Sequence, residues 1–264
     1  MKINTLFICI ALFLTACASQ PVDISIKPGN EGFIIGNGTV AAVLSHGLGA
    51  SPFEVKGLAE YLAARNIAVY AVRLDGHGTS IEHLSKTKWE DWYESFVNEY
   101  EIARSSHQKV FVGGMSLGGE LALRVAEENG VDGVIALAPS LILDDKRSNY
   151  AWLFKYFTKY SSRVIPIDRK PFYYDKFSVS AVAESVELSK IVERDLGEVN
   201  VPVLIMQYAN DTRVDSRSPQ IVYDGISSQR KELVWIDGTG HVFLLDDGKE
   251  KYFEKIYEFI LENS

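Results

Sequence analysis

The chain has 264 residues, of which 47% are hydrophobic and 23% charged, a balance that supports one large packed domain and excludes disorder as the dominant state. Its 35 acidic side chains outnumber 27 basic ones, giving a formal charge of −8, so it repels a phosphate backbone and nucleic acid is not an expected partner. Both cysteines, Cys9 and Cys17, stand near the start of the chain, which excludes a disulfide or cysteine–metal framework in the body.

The chain opens with one basic residue, Lys2, followed by the apolar run from Thr5 to Ala16. That is about a dozen residues, against the ~20 that a helix needs to cross a hydrocarbon core, and it reads as a secretory signal. The end of the run, Leu14-Thr15-Ala16-Cys17, resembles the lipobox of bacterial lipoproteins. The resemblance implies a signal peptide over 1–16, diacylglycerol on the Cys17 thiol, and a protein tethered to a membrane of the bacterial cell envelope. Two or more acyl chains hold such an anchor stably, where one is marginal. Residues 17–30 contain Pro21, Pro28 and Gly29 without helical periodicity and serve as a short tether.

From Gly32 onward short apolar runs alternate with amphipathic stretches, the pattern of a mostly parallel sheet covered by helices on both faces. Phe33–Ile35 is expected to pair with the strand Val40–Leu44 through the turn Gly36-Asn37-Gly38. Helix Glu54–Arg65, strand Ala68–Val72, helix Trp89–Arg104, strand Lys109–Val112, helix Glu120–Glu128 and strand Val134–Leu137 follow. After an interruption come strand Val203–Gln207, helix Gln220–Ile226, strand Leu233–Ile236 and helix Lys249–Leu261. The interruption, about 140–198, is too long for a plain crossover and reads as a small helical cap inserted into the 31–264 domain. Within it Trp152, Tyr156 and Tyr160 recur at i, i+4, i+8, as on a helix face packed against the rest of the cap. Helix-favouring Ala181–Leu196 closes it.

The chemistry concentrates at Gly114-Met115-Ser116-Leu117-Gly118, a G-x-S-x-G sequence between a strand and a helix, the setting of a nucleophile elbow. A serine hydroxyl is a poor nucleophile at neutral pH and needs a neutral imidazole to take its proton and a carboxylate to orient that imidazole. His46, His77, His83 and His107 precede Ser116, and only His241 follows it. The chain order serine, acid, histidine therefore selects His241, on the loop Asp237–His241. Asp211, just beyond a strand's carboxyl end, is the preferred acid over Asp215 and Asp237, because functional groups in open parallel sheets cluster there. The tetrahedral intermediate needs backbone N–H donors, and Leu48, in His46-Gly47-Leu48-Gly49 after the first long strand, and Leu117, after the serine, are placed to supply them. His46 is read as a loop-fixing residue bonded to backbone. His77 with Asp75 suggests a metal, but no third ligand is suitably spaced, so neither metal nor organic cofactor is implied.

These pieces carry a family resemblance. His46–Pro52 (HGLGASP), Gly76–Gly78 (GHG), Glu90–Trp92 (EDW), Gly114–Gly119 (GMSLGG), Asn210–Val214 (NDTRV) and Gly240–Val242 (GHV) make the chain from about Val40 onward similar to the α/β-hydrolase superfamily, and within it to bacterial carboxylesterases and monoacylglycerol lipase-like enzymes. Glu120 departs from the pattern, standing where a small or apolar residue is commoner. The resemblance implies an α/β-hydrolase fold with Ser116 as nucleophile, Asp211 as acid, His241 as base and Leu48 and Leu117 as oxyanion donors. It also implies hydrolysis of acyl esters, short-chain or monoacylglycerol-like, as the small-molecule substrate. A thioesterase, amidase or peptidase of the same fold is the alternative. A lipid-anchored binding protein without turnover is the alternative of another class.

Overall fold

The computed structural model describes residues 21–264; the expected signal peptide and Cys17 lie outside them. Strand β1 (Phe33–Ile35), β2 (Val40–Ser45), helix α1 (Phe53–Ala63), β3 (Ile67–Val72), the single turn α2 (Ile81–Leu84), α3 (Trp89–Ser106), β4 (Lys109–Met115), α4 (Leu117–Glu128) and β5 (Gly133–Leu137) form the first half. The segment that follows contains α5 (Ala151–Phe154), a two-stranded ribbon of β6 (Tyr160–Ser162) and β7 (Lys176–Ser178), and α6 (Val179–Asp195). β8 (Val203–Asp211), α7 (Arg217–Gly225), β9 (Lys231–Gly240) and α8 (Glu250–Glu262) complete the chain.

Seven strands form one sheet in the order β1-β3-β2-β4-β5-β8-β9, parallel except for β1. Every residue of β3 is buried, as expected of a strand covered on both faces. On one face Trp92 and Phe96 of α3, Leu121 of α4 and Leu188 of α6 pack on the sheet. On the other, Leu58 and Leu62 of α1 meet Phe253 and Ile256 of α8. Each such side chain contributes about 1.5–3 kcal/mol of burial.

Two expectations are corrected. β1 does not form a hairpin with β2; it runs antiparallel to β3, with Ile35 opposite Val69. β2 has both edges occupied, by β3 and β4, so β1 pairs instead with the outer edge of β3. Nor do Trp152, Tyr156 and Tyr160 share a helix face. α5 ends at Phe154 and Tyr160 starts a strand, leaving Trp152 57% and Tyr156 76% exposed. The segment is too short of apolar partners to bury them: its own buried cluster is Ala151, Val179 and Ala183.

Candidate active site

Ser116 stands between β4 and α4 with φ 56° and ψ −115°, a conformation that costs a side-chain-bearing residue about 1–3 kcal/mol. The flanking glycines make the turn possible by what they lack. A Cβ on Gly114 would lie 2.4 Å from the Ser45 carbonyl oxygen, and one on Gly118 2.5 Å from the same atom. The end of β2 thus passes against both sides of the turn. The Ser116 N–H donates to the Leu137 carbonyl of β5 at 2.8 Å, and its own carbonyl accepts from Gly119 and Glu120 N–H. Strain at one residue is held by two neighbouring strands and the first turn of a helix.

Asp211 and His241 meet because β8 and β9 run in parallel to their carboxyl ends, where Asp211 lies opposite Gly240 after a register shift between Tyr208 and Asn210. Both strands extend further than the apolar runs suggested, so Asp211 closes β8 and His241 follows β9 directly. His241 Nδ1 lies 2.9 and 3.1 Å from the two Asp211 oxygens. The Asp211 side chain has no solvent exposure and also accepts from Arg213 and Val214 N–H at 2.8 and 2.9 Å, which fixes its rotation. A carboxylate on Nδ1 sets the tautomer that leaves Nε2 free to accept a proton. The two rival acids lie elsewhere: Asp215 pairs with Arg217 at 2.8 Å and is held down to about 2 by it, while Asp237 is exposed.

Ser116 and His241 line one cavity of about 750 Å³. Among the described residues no hydrogen bond joins the serine hydroxyl to the imidazole, a contact that in ligand-free enzymes often tightens only with substrate bound. Leu48 lines the same cavity, and Leu117 is the first residue of α4. Neither N–H donates to a protein acceptor among the described residues, so both remain available to an incoming oxygen.

The loop that carries Leu48 is held from three sides. His46, fully buried, donates from Nδ1 to the Gly47 carbonyl at 2.9 Å and accepts the Leu74 N–H on Nε2 at 3.3 Å; burial depresses it to about 4, so it stays neutral. Among the described residues His77 is bonded to no acidic side chain: its Nδ1 faces the Asp75 backbone carbonyl at 3.0 Å, and burial lowers its pKa. Glu54, 3% exposed, accepts the Gly47 N–H at 2.7 Å and the Tyr173 hydroxyl at 2.6 Å. Arg163 donates to the Leu48 and Gly49 carbonyls at 3.2 and 3.1 Å, and Tyr174 N–H to Gly49 at 3.0 Å. A Cβ on Gly49, at φ +68°, would stand 2.7 Å from the guanidinium, so this approach requires glycine. Desolvation lowers Arg163 to about 10, against the opposing field of Glu54. Glu54, Arg163 and Tyr173 had no signal in the sequence beyond an acidic residue early in the helix after HGLGASP.

Glu120, the departure noted above, is fully buried in the first turn of α4. It accepts from the Ser140 hydroxyl at 2.7 Å and from Ser189 of α6. Desolvation raises it to about 7, partly offset by the two hydroxyls.

A mostly parallel sheet flanked by helices, with a strained serine between a central strand and its helix and an acid–histidine pair at later strand ends, defines the α/β-hydrolase fold. The chain belongs to the Hydrolase_4 family, described as serine aminopeptidase, S33, whose model matches residues 38–248. It is accordingly a hydrolase, and its named relatives are ester hydrolases. A carboxylesterase of Bacillus subtilis (strain 168) is 25% identical over 86% of this chain and 95% of its own length. A thermostable monoacylglycerol lipase of Bacillus sp. (strain H-257) is 28% identical over 90% and 97%. A solved structure from work on LipS and LipT, two metagenome-derived lipolytic enzymes, superposes with a TM-score of 0.85 at 25% identity, covering 90% of this chain and all of the other.

Proposed function

We propose that the protein is a serine carboxylic-ester hydrolase acting on short-chain or monoacylglycerol-like acyl esters. The observation that carries this is the pairing of His241 with the enclosed Asp211 carboxylate, the imidazole lining one cavity together with Ser116. His241 Nε2 takes the Ser116 proton as Oγ attacks the ester carbonyl, and the Leu48 and Leu117 N–H groups offset the charge on the oxygen. The imidazolium returns the proton to the leaving alcohol, an acyl-serine remains, and water activated by the same imidazole releases the acid. The names of the relatives and the apolar walls of the cavity, among them Leu143, Val164 and Val179, support an acyl group as the recognised part.

The test is turnover of p-nitrophenyl esters of increasing chain length. Ser116→Ala should lower turnover on the order of 10⁶-fold, by analogy with triad knockouts in a serine protease; equal activity in both forms would remove Ser116 from the mechanism. The family's description as a serine aminopeptidase favours a peptidase as the second reading, and matched ester, thioester and anilide substrates separate the bonds. A purely binding protein would turn over none of them.

The reading extends to the anchor: a mature chain starting at Cys17, lipidated and tethered to a membrane of the bacterial cell envelope. Support comes from the lipobox-like Leu14–Cys17 alone. Metabolic labelling with an alkyne fatty acid should mark the wild type and not Cys17→Ala; equal labelling would refute it.

A further inference from the structure

Four arginines line the cavity that holds Ser116 and His241, and they divide into two kinds. Arg147 is paired with Asp145 at 2.7 Å and Arg169 with Asp246 at 3.0 Å. Arg163 and Arg213 have no carboxylate within 4 Å among the described residues. They share one neighbour: the guanidinium carbons stand 4.5 and 5.4 Å from the centre of the Phe177 ring, so both positive groups border the same aromatic side chain. Among the described residues Arg163 uses only Nη1, on the Leu48 and Gly49 carbonyls, and its Nε and Nη2 have no acceptor. The Arg213 side chain makes no hydrogen bond among the described residues.

The carboxylates nearby make no ion pair with either guanidinium among the described residues, although the field of Glu54 favours the charge on Arg163. Glu54 is occupied by the Gly47 N–H and the Tyr173 hydroxyl. Asp144, exposed, lines the same cavity and among the described residues is joined to Arg213 only through the backbone. Arg163 is half-buried and Arg213 exposed, and a guanidinium taken partly out of water is stabilised by an added opposite charge. Burial depresses Arg163, with Glu54 and Tyr173 opposing the shift and Arg213 adding to it.

We propose that Arg163 and Arg213 form an anion subsite, and that the ester taken by this cavity carries a carboxylate or a phosphate as well as its acyl bond. Guanidinium forks match either group through paired N–H donors. Arg163 would then touch the substrate's charge and the oxyanion loop at once, so that seating the anion steadies the Leu48 peptide. The proposal rests on the esterase reading for the identity of the bond, but its binding test does not.

The test uses Ser116→Ala protein and calorimetric binding of paired ligands: monomethyl against dimethyl suberate for the carboxylate, and 1-octanoylglycerol 3-phosphate against 1-octanoylglycerol for the phosphate. At least one anionic member should bind about tenfold more tightly than its neutral partner, and the preference should shrink with salt and fall to within about threefold in Arg213→Gln. Which pair shows it identifies the anion. Neutral partners binding as tightly as both anions, or a preference that Arg213→Gln leaves intact, would overturn the subsite. Wild-type turnover of the neutral esters, measured alongside, reports on the esterase reading separately: its absence would refute that reading while the binding data still decide the subsite.

Discussion

The sheet and the segment that follows β5 are built on opposite principles. In the sheet and the helices packed on it, side chains such as Phe111, Phe96 and Leu121 are wholly enclosed, and the candidate triad sits where three strands end. In the segment, Phe157 and Ile167 are about four-fifths exposed, at 79% and 82%, and the attachments reaching the site are polar: Arg163, Tyr173 and Tyr174 on the loop of Leu48. The contrast teaches that the reacting groups are fixed by packing, whereas the oxyanion donor is also held by hydrogen bonds from outside the sheet. Chemistry should therefore tolerate little change in the first region and be tunable from the second.

The largest effect within the sheet should come from Asp211→Asn, which keeps the shape but presents the imidazole with a donor. Turnover of a p-nitrophenyl ester is expected to fall about 10⁴-fold, as the same change does in a serine protease, with the fold unaltered by circular dichroism. A fall below tenfold would mean that another acid serves His241. Next in size is a paired comparison of stability. Phe96→Ala should cost about 3–5 kcal/mol in urea denaturation, and Phe157→Ser should stay within about 0.5 kcal/mol. Similar losses would erase the distinction between the two regions.

Glu120 gives a pH-dependent effect of intermediate size. Below its ordinary 4.5 the carboxyl is protonated in both folded and unfolded chains; between 4.5 and about 7 the folded protein keeps a proton that the unfolded chain has lost. Stability therefore declines as pH rises through that window, and the deficit is complete above it. Glu120→Gln should raise the melting temperature by a few degrees at pH 8 and hardly at all at pH 4.5. An equal gain at both pH values would separate the effect from titration. The smallest expected change in activity is that of Tyr173→Phe, which deprives Glu54 of its hydroxyl partner. A reduction of about tenfold in kcat, with KM little altered, would show that the outer segment steadies the oxyanion loop. A change in KM alone would assign Tyr173 to substrate binding instead.

Much of this was legible because short-range chemistry fixed it. A G-x-S-x-G after an apolar strand has few other uses, and a single histidine after the serine leaves no choice of partner. The strand ends were harder: β9 runs four residues past its apolar run, through Asp237 to Gly240, because parallel pairing with β8 sustains it where composition does not. The β1 partner was missed since the occupancy of β2's edges is a property of the whole sheet. In the segment after β5, Trp152, Tyr156 and Tyr160 mimic a helix face at the level of spacing, but no apolar layer exists to receive it. Arg163 and Tyr173 lie more than 100 residues from the loop they hold, and nothing local marks such contacts.

The most direct test of the central claim is labelling with a fluorophosphonate, followed by mapping of the adduct in tryptic peptides. One adduct, on Ser116, is expected for the wild type, with labelling slowed by orders of magnitude in His241→Ala. Absence of an adduct on Ser116, or an unchanged rate without the imidazole, would contradict it.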